Sequence, residues 1–581
     1  MSSSQEEHWL DQYGNQDIYQ WRSREIGNRT TYYRPLGLVE FSFDADGRYY
    51  EGRADMNAQL DLEVKCTLSK EDFRERVLFA WTCLRCKHLL LQSKAVPTKR
   101  FYERENVASS NICFAVDPGR TVTQAIEDAG QHLVFLNDHF DHVDPFDFWV
   151  HCQNTKRILD PEKALARFYV FPLEPLPNGR HVLRFLKVGA HQIEDGLTTY
   201  NWMTSFIDFL NQPVTELRQR LRELLLPEDL YRRLPPPQES QYPAVRGNRA
   251  RQRWFWLLTR ILRHVRKPLP AGFDNPLRKD KPRSEAVVFP WTYHPILDYS
   301  SPPMLNSISL FAGIPLKGTQ RLHRICRSAK ASIGAGCFAL AALIMQEMYE
   351  EREPHVPLHE RKPFISGFPL NPRAFFNHNV PPDSLMLAFS DGISLPFLPS
   401  HLDVEGRLRI LARQAHRQLS TYQKRPNPNA DEASLQYMGA RGTGRMLPIL
   451  YVSAIARADT NLPEQHRRGV DPQGAFPMRP NATMQTCGVS SVGRRENLIQ
   501  RDRYDLEDDG KPFVADYRNI YASVRPREDE FLVGVGGDYD GIWVNCSIDG
   551  NSMDPRRVEQ WKTRFETMLD GGEVGGGSSK L

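Results

Sequence analysis

The residues whose types and spacing could do chemistry stand together in one short run, His191-Gln-Ile-Glu-Asp195-Gly196. The ordinary pKa of a histidine lies near neutrality, which suits a general base that takes a proton from a hydroxyl or an amine. Asp195 lies in the same turn, and Gly196 has no Cβ where we expect the chain to turn sharply and a substrate to approach. The run predicts proton transfer by His191; the alternative is that His191 only ends a strand.

A strand and a helix flank this run and must position it. The segment 181–188 reads as a strand and stops three residues before His191. A side chain at the end of a strand can be presented at the edge of a crevice, which favours the catalytic interpretation. Apolar residues then follow at helical spacing, and this predicted helix stops before Pro213: Tyr200, Met203, Phe206, Ile207 and Leu210.

Similar patterns predict further elements on both sides of a middle segment rich in Pro and Arg. Strands are predicted at 61–66, 112–116, 164–171, 364–370, 385–389, 488–492, 531–535 and 541–548. Helices are predicted after the capping residue Ser69 and at 121–136, 333–349, 405–422 and 554–569. Because both halves mix strands and helices in similar proportion, the expected fold class is α/β.

We divide the chain into five parts. Residues 1–54 are expected to form an N-terminal arm, 55–225 a first lobe that holds the run, and 226–305 a basic crossover. Residues 306–570 are expected to form a second lobe, and 571–581 a flexible tail.

Composition narrows the function classes. The chain has 581 residues, of which 40% are hydrophobic and 25% charged, with a formal net charge of +4. These values are typical of a globular protein and exclude a mainly disordered, collagen-like or coiled-coil chain, and they do not suggest a nucleic-acid binder. The longest apolar stretch, 338–345, is too short to span a membrane, and no secretory signal follows the polar start. The nine cysteines are expected to be reduced thiols.

Three weaker motifs are interpreted as structural. Cys83 and Cys86 have the spacing of a redox or zinc pair but lie in an apolar-patterned segment without a second pair. Residues 138–144 are dense in Asp and His but have no further ligand cluster, so we predict no metal site. Residues 439–444 resemble a phosphate loop faintly and lack its Lys-Ser/Thr pair.

A cationic, amphipathic helix is predicted at 254–266 within the basic crossover. Such a helix could lie on an anionic membrane surface, or it could pack on the lobes with its arginines in water. We favour packing, because a crossover between two lobes must be anchored.

The whole pattern resembles the chloramphenicol-acetyltransferase-like superfamily over roughly residues 55–570. The run at His191, the opening strand and helix, the segment Phe368-Pro-Leu-Asn-Pro-Arg373 and the closing strand from Asp540 are similar to that superfamily's elements in the same order. Ala190 stands where condensation domains usually have a second histidine, and the plant-type D-F-G-W-G motif has no counterpart. The resemblance is best to stand-alone fungal acyltransferases of the trichothecene 15-O-acetyltransferase type.

This resemblance implies two similar lobes, each a mixed sheet flanked by helices, that form a V with a central tunnel. It implies that His191 removes a proton from an acceptor that attacks an acyl thioester, and that Asp195 pairs with Arg373 of the second lobe. Ser490 and Ser491 are the candidates for holding the oxyanion or substrate. Acyl-CoA is the implied co-substrate, with no tightly bound cofactor, and we expect a monomer.

The expected function is acyl transfer from acyl-CoA to a hydroxyl or amine of a small specialised metabolite. The enzyme alternative is a condensation-type amide synthase that uses a carrier-protein thioester. The alternative without catalysis is an inactive scaffold or membrane-surface protein of the same fold. The acyl group, the acceptor and the choice of ester or amide stay open.

The last three residues, Ser579, Lys580 and Leu581, match the peroxisomal import address, which a receptor reads. We therefore expect a peroxisomal location, and a cytoplasmic one if the tripeptide is only an accidental tail.

Overall fold

The computed structural model describes residues 9–570 apart from 28, 104–106, 108–109, 120, 246, 377, 423–442 and 480–484. The predicted tail with Ser579, Lys580 and Leu581, and residues 439–442 of the glycine-rich loop, lie outside the described residues. In the part of the chain that is described, no single helix is long and apolar enough to cross a membrane. One pair of helices joined at a bend, Leu316–Ser328 and Ile333–Arg352, is together long and apolar enough, by length and composition only.

Eighteen strands are found in the described residues. In chain order they are β1 Arg22–Ile26, β2 Arg29–Pro35, β3 Met56–Cys66, β4 Ser93–Pro97, β5 Ile112–Val116, β6 Leu133–Phe135, β7 Ala166–Val170, β8 Glu174–Pro175, β9 His181–Gly189, β10 Ser307–Pro315, β11 Phe364–Gly367, β12 Pro369–Leu370, β13 Ala388–Phe389, β14 Ile393–Leu395, β15 Cys487–Arg494, β16 Phe513–Val524, β17 Phe531–Asp538 and β18 Gly541–Asp549.

The described helices are these, in chain order: α1 Trp9–Gln12, α2 Leu38–Tyr49, α3 Lys70–Lys87, α4 Val122–Gly130, α5 Pro145–Asn154, α6 Gly196–Leu210, α7 Val214–Leu224, α8 Pro227–Arg233, α9 Arg249–Val265, α10 Leu316–Ser328, α11 Ile333–Arg352, α12 Val404–Leu419, α13 Thr443–Thr460 and α14 Pro555–Thr567. Several begin at the capping residues that the sequence predicts: Ser69 Oγ accepts a hydrogen bond from the Asp72 amide, and Asp554 caps α14 ahead of Pro555.

Two six-stranded mixed sheets form the centre of the fold. The first has the order β16-β3-β9-β7-β6, with β8 paired to β9, and the second has the order β10-β18-β17-β15-β11-β14. β9 lies inside the first sheet, paired with β3 on one side and β7 on the other. Alternating β3 residues Leu60, Leu62 and Val64 are fully buried, as an amphipathic strand in a packed sheet requires. The two mixed sheets with flanking helices confirm the predicted α/β class.

The first sheet includes a strand from the second half of the chain, which the sequence analysis did not predict. β16 lies antiparallel to β3, from Phe513 opposite Cys66 to Val524 opposite Met56. Residues within 306–570 therefore complete the sheet that carries the motif. Hydrophobic periodicity cannot reveal this pairing, because the partner strand lies more than four hundred residues away.

The predicted N-terminal arm is wrong: much of it is packed structure. β2 joins a four-stranded sheet of order β1-β2-β5-β4, and α2 is buried along most of its length. Arg34 and Glu40, two charges that make the segment read as polar, form an ion pair at 2.7 Å with almost no exposed surface. A buried charge needs a partner of opposite sign. Two residues that look solvated in the sequence are therefore buried together as a pair.

One predicted helix is shorter than expected. The helix predicted at 121–136 ends at Gly130, and β6 follows at Leu133–Phe135. Glycine is a common helix terminator, and the three apolar residues after it pair with β7 in parallel.

The weaker motifs have structural roles. Cys83 and Cys86 are buried within α3, where burial raises the pKa of the Cys86 thiol to about 11. Asp138 pairs with Arg74, and Asp144 caps α5. No group of three or more potential metal ligands occurs among the residues that the structure describes.

Candidate active site

The predicted run forms the turn between β9 and α6, with a single 3₁₀ turn over His191–Ile193. His191 Nδ1 lies 2.7 Å from the Glu194 carbonyl oxygen, which can only accept a hydrogen bond. Nδ1 therefore carries the proton, and Nε2 keeps a free lone pair. Burial lowers the pKa of His191 below its ordinary value, which favours the neutral ring. These are the tautomer and charge state that a general base needs.

The N-terminal helix α2 packs directly against the motif. The Phe43 ring stacks on the His191 ring with their centroids 4.0 Å apart, and the Gln192 amide donates to Asp44 at 3.1 Å. The side chain of Phe43 thus covers one face of the imidazole and holds its plane. Sequence reasoning missed this contact because it treated 1–54 as an arm.

A buried ion pair supports the residue that orients His191. Lys187 of β9 and Glu194 have no exposed side-chain surface and form an ion pair, and Thr199 Oγ1 donates to the same carboxylate at 2.6 Å. The Glu194 carbonyl that accepts from His191 is therefore anchored by its own side chain. The signal in the sequence is a lysine in an otherwise apolar strand end, Phe-Leu-Lys-Val-Gly.

Gly189, at the end of β9, makes room for this ion pair. A Cβ built on Gly189 would overlap the Glu194 carboxylate. Gly196, which the sequence analysis singled out, is different: its φ is outside the left-handed region, and a Cβ there would reach only ordinary contact, 3.7 Å from Val492. The expectation of a sharp turn that requires glycine at Gly196 is therefore wrong, and Gly189 is the glycine with a steric role.

Asp195 and Arg373 meet, as the resemblance implied. Arg373 Nη1 lies 2.9 Å from Asp195 Oδ2, and both side chains are more than nine-tenths buried. Asp195 Oδ2 also accepts from the Met386 amide, while Oδ1 caps α6 by accepting from the Thr198 amide, each at 2.9 Å. Both carboxylate oxygens are therefore committed to structural partners, and the carboxylate does not bond to the His191 ring.

The Asp195 pair joins parts of the chain that are far apart in sequence. Arg373 donates to the Ser384 carbonyl, which also accepts from Thr198 Oγ1 at 2.9 Å. The crossover is fastened to the same region, because Gln238 Oε1 accepts from the Leu387 amide at 2.7 Å. The start of α6 is thereby held against residues 384–387.

Ser490 and Ser491 lie on β15, the strand that passes beside Gly196 through Val492. Ser491 Oγ accepts from the Gly493 amide at 3.3 Å. Among the described residues, neither serine makes a hydrogen bond to the His191 turn. The strand passes close to the start of α6, and the oxyanion or substrate role of the two serines stays a prediction.

Two cavities lie close to these elements. A small one of about 30 Å³ is lined by Phe43, Phe389 and Arg457, with the Arg457 guanidinium 3.8 Å from the centre of the Phe389 ring. A larger one of about 700 Å³ is lined by Ser491, Val492 and the first turn of α11. Phe43, which lines the small cavity, stacks on His191, and Val492, which lines the larger one, lies beside Gly196. A third cavity, of about 750 Å³, lies at the edge of the first sheet beside Asp61 and Phe146, and no residue of 191–196 lines any of the three.

Comparison with known proteins identifies the fold. No family model matches the chain, and no curated protein matches it. The structure is similar to TRI3 trichothecene 15-O-acetyltransferase from Fusarium sporotrichioides, with a TM-score of 0.63 and 11% identity over 95% of this chain and 97% of that one. The chain has the chloramphenicol-acetyltransferase-like fold.

Condensation domains are also among the similar structures. The first condensation domain of the calcium-dependent antibiotic synthetase has a TM-score of 0.48 and 12% identity, over 94% of this chain and 96% of that one. The condensation domain of the Monacolin K polyketide synthase MokA has a TM-score of 0.46 and 11% identity, over 93% and 97%. At these identities the comparisons describe the fold, and the function of this chain has to be argued from its own residues.

Proposed function

We propose that this protein is an acyltransferase that moves an acyl group from acyl-CoA to a hydroxyl or amine of a small specialised metabolite, with His191 as the general base. The observation that carries the proposal is the His191 tautomer: its Nδ1 proton is held by the Glu194 carbonyl, so that Nε2 is free to accept a proton. The fold shared with a trichothecene 15-O-acetyltransferase supports the same reaction class.

The proposed step needs only one base. His191 Nε2 takes the proton of the acceptor as its oxygen or nitrogen attacks the thioester carbonyl. The carbon–sulfur bond then breaks, and the imidazolium returns the proton to the leaving thiolate. Because a thioester is already activated, a positioned base worth about 10²–10⁴-fold, together with orientation of the reactants, can account for useful turnover.

Asp195 is assigned a structural role in this proposal. Its two oxygens accept from Arg373 and from two backbone amides, so a proton transferred to it would break these interactions. Ser490 and Ser491 remain the candidates for stabilising the oxyanion. The neighbouring cavity of about 700 Å³ is large enough for part of a co-substrate, and we propose that it takes the acyl-CoA end.

The test is a panel of acyl-CoA species and candidate acceptors, with release of free CoA thiol as the readout. The expected result is turnover that falls by about 10²–10⁴-fold in His191→Ala, with folding unchanged. His181→Ala is the matched control, because it removes a histidine at the other end of the same strand. Near-normal turnover in His191→Ala would refute the mechanism.

The pH dependence gives a second readout. Since burial lowers the pKa of His191, the neutral base persists below the ordinary histidine pKa. We therefore expect kcat/KM to rise with pH through an apparent pKa below about 6.5 and to be level at neutral pH. If the rise of kcat/KM with pH has an apparent pKa above about 6.5, the result would argue against His191 as the base.

The panel also separates the alternatives. Turnover with a carrier-protein thioester, but with no acyl-CoA, would identify a condensation-type amide synthase. Absence of turnover with both donors, in a folded protein, would favour the inactive scaffold.

We also propose that Ser579, Lys580 and Leu581 act as a peroxisomal import address read by its receptor. The support is the tripeptide itself and the glycine-rich run at 571–577 that precedes it.

A further inference from the structure

Helix α9 of the crossover is anchored to the body of the protein along one face. Its Trp256 is almost fully buried, with ring centroids 5.0 Å from Tyr13 and 5.8 Å from Tyr451. Arg263 lies on the buried face of the helix, and its guanidinium donates to Gln473 and, at 3.0 Å, to Ser453 Oγ. The anchoring that the sequence analysis favoured for this helix is therefore confirmed, but Arg263 is buried and does not point to water.

The opposite face of α9 is apolar although it is exposed to solvent. Four large apolar side chains are spaced by four, four and three residues, which places them in one stripe along the helix. They form an apolar ridge, with exposed fractions in brackets: Trp254 (59%), Leu258 (41%), Leu262 (45%) and Val265 (60%). The outward face of a surface helix is normally polar, so this ridge requires an explanation.

A neighbouring segment packs beside α9. Met478 is 46% exposed, and its sulfur lies 3.5 Å from Arg263 Nη2. The preceding Pro477 carbonyl accepts from His264 Nδ1 at 2.6 Å. Residues 477–478 thus contact the anchored side of α9, and Met478 adds one exposed apolar side chain beside the helix.

The charges on the helix segment itself all have one sign. Residues 249–267 contain seven Lys and Arg residues and no Asp or Glu. Of these, Arg249, Arg251, Arg253 and Lys267 are exposed, and none of the four forms an ion pair with a residue that the structure describes. Arg266 is already paired with Asp391. Four cations that have no ion-pair partner among the described residues therefore flank the two ends of an exposed apolar stripe.

We propose that the apolar ridge and its flanking cations form a docking surface for an anionic membrane leaflet. A helix that lies in the membrane interface combines Trp and Leu on one side with Lys and Arg beside them, which is the arrangement seen here. Trp254 stands at one end of the ridge, where its ring can sit at the level of the headgroups. The uniform positive charge matches anionic lipid, and each cation near such a surface strengthens binding by about fivefold.

The proposal is tested with the full chain and vesicles of phosphatidylcholine alone or mixed with phosphatidylserine, separated by flotation. We expect binding to the mixed vesicles that is at least about tenfold stronger than to phosphatidylcholine and that weakens at high salt. Leu258→Ser with Leu262→Ser should weaken it by about tenfold, and Arg251→Gln with Arg253→Gln by about twentyfold.

Matched controls change exposed residues of the same kinds elsewhere. Val288→Ser with Met304→Ser removes two exposed apolar side chains, and Arg324→Gln with Arg327→Gln removes two exposed cations, all outside α9. Both control variants should bind like the unmodified chain, and circular dichroism checks that every variant is folded.

Two results would overturn the proposal. One is that the unmodified chain fails to float with the mixed vesicles, or that the α9 variants bind as well as the controls. The other is that the unmodified chain does not bind vesicles but self-associates with rising concentration, as measured by light scattering, and that Leu258→Ser with Leu262→Ser abolishes this self-association. The ridge would then be a protein interface.

Discussion

The ion pair between Asp195 and Arg373 allows the sharpest test of how the motif is held. Each side chain is less than one-tenth exposed, and the atoms are 2.9 Å apart. Removing one partner strands the other charge in a buried place, so Asp195→Ala and Arg373→Ala should each lower the free energy of unfolding by about 3–5 kcal/mol. Asp195→Ala should lose a further 0.5–2 kcal/mol or so, because it also removes the cap of α6.

The double variant decides whether the two side chains meet. Once both charges are gone, neither is stranded, and the loss should be about 1–3 kcal/mol less than the sum of the two single losses. The assay is urea unfolding followed by fluorescence of the ten tryptophans. CoA thiol release is measured on the same samples, and both single variants should be slower because the start of α6 moves with the motif.

A cycle on Arg74 and Asp138 is the matched control. Their closest atoms are 2.6 Å apart, but the side chains are 31% and 39% exposed, so solvent screens the pair and the coupling should be about 0–1 kcal/mol. Additive losses for Asp195 and Arg373, equal to the control, would refute the contact. Asp195 would then become a candidate second base, and the arrangement of residues 373–387 around the motif would be in error.

Three further predictions concern the surroundings of the motif, the crossover and the terminus. Lys187→Met should destabilise the protein by about 3–5 kcal/mol in urea and slow thiol release, because it strands the Glu194 carboxylate, whereas adding Glu194→Gln should recover much of the stability. Burial raises the pKa of Glu239 to about 7, so the folded state holds this proton more tightly than the unfolded state does. Unfolding free energy should therefore decline by roughly 3 kcal/mol between about pH 4.5 and pH 7, and Glu239→Gln should remove that decline; an equal slope in both proteins would contradict it. Residues 570–581, placed at the carboxyl end of a fluorescent protein, should direct it to peroxisomes, and removal of Ser579–Leu581 should leave it in the cytosol.

The local elements around the site could be read from the sequence because their causes are local. The strand that precedes His191 and the helix that follows Gly196 are set by apolar spacing, and both occur where they were predicted. Capping works over three or four residues, so Ser69 and Asp554 mark helix starts without any knowledge of the fold. The choice of His191 depends on the same local reasoning: residue type, a strand end and a turn.

The partnership of Asp195 with Arg373 has a different origin. The two residues are 178 positions apart, and no periodicity connects them; resemblance to a known superfamily suggested the pair, and the structure places the atoms together. Gly196 shows the opposite case, since a plausible local argument, that the chain turns sharply where a Cβ is absent, fails once its backbone and surroundings are known.

Only the tertiary structure decided how His191 is held. The stacking of Phe43 on His191, the ion pair of Lys187 with Glu194, and the place of β16 in the first sheet all join segments whose approach depends on packing. Charged residues such as Glu194 read as solvated in a sequence, because burial and a partner are properties of the folded chain. The sequence determined that His191 is the candidate base; the fold determined its tautomer, its charge and its neighbours, because these follow from contacts in space.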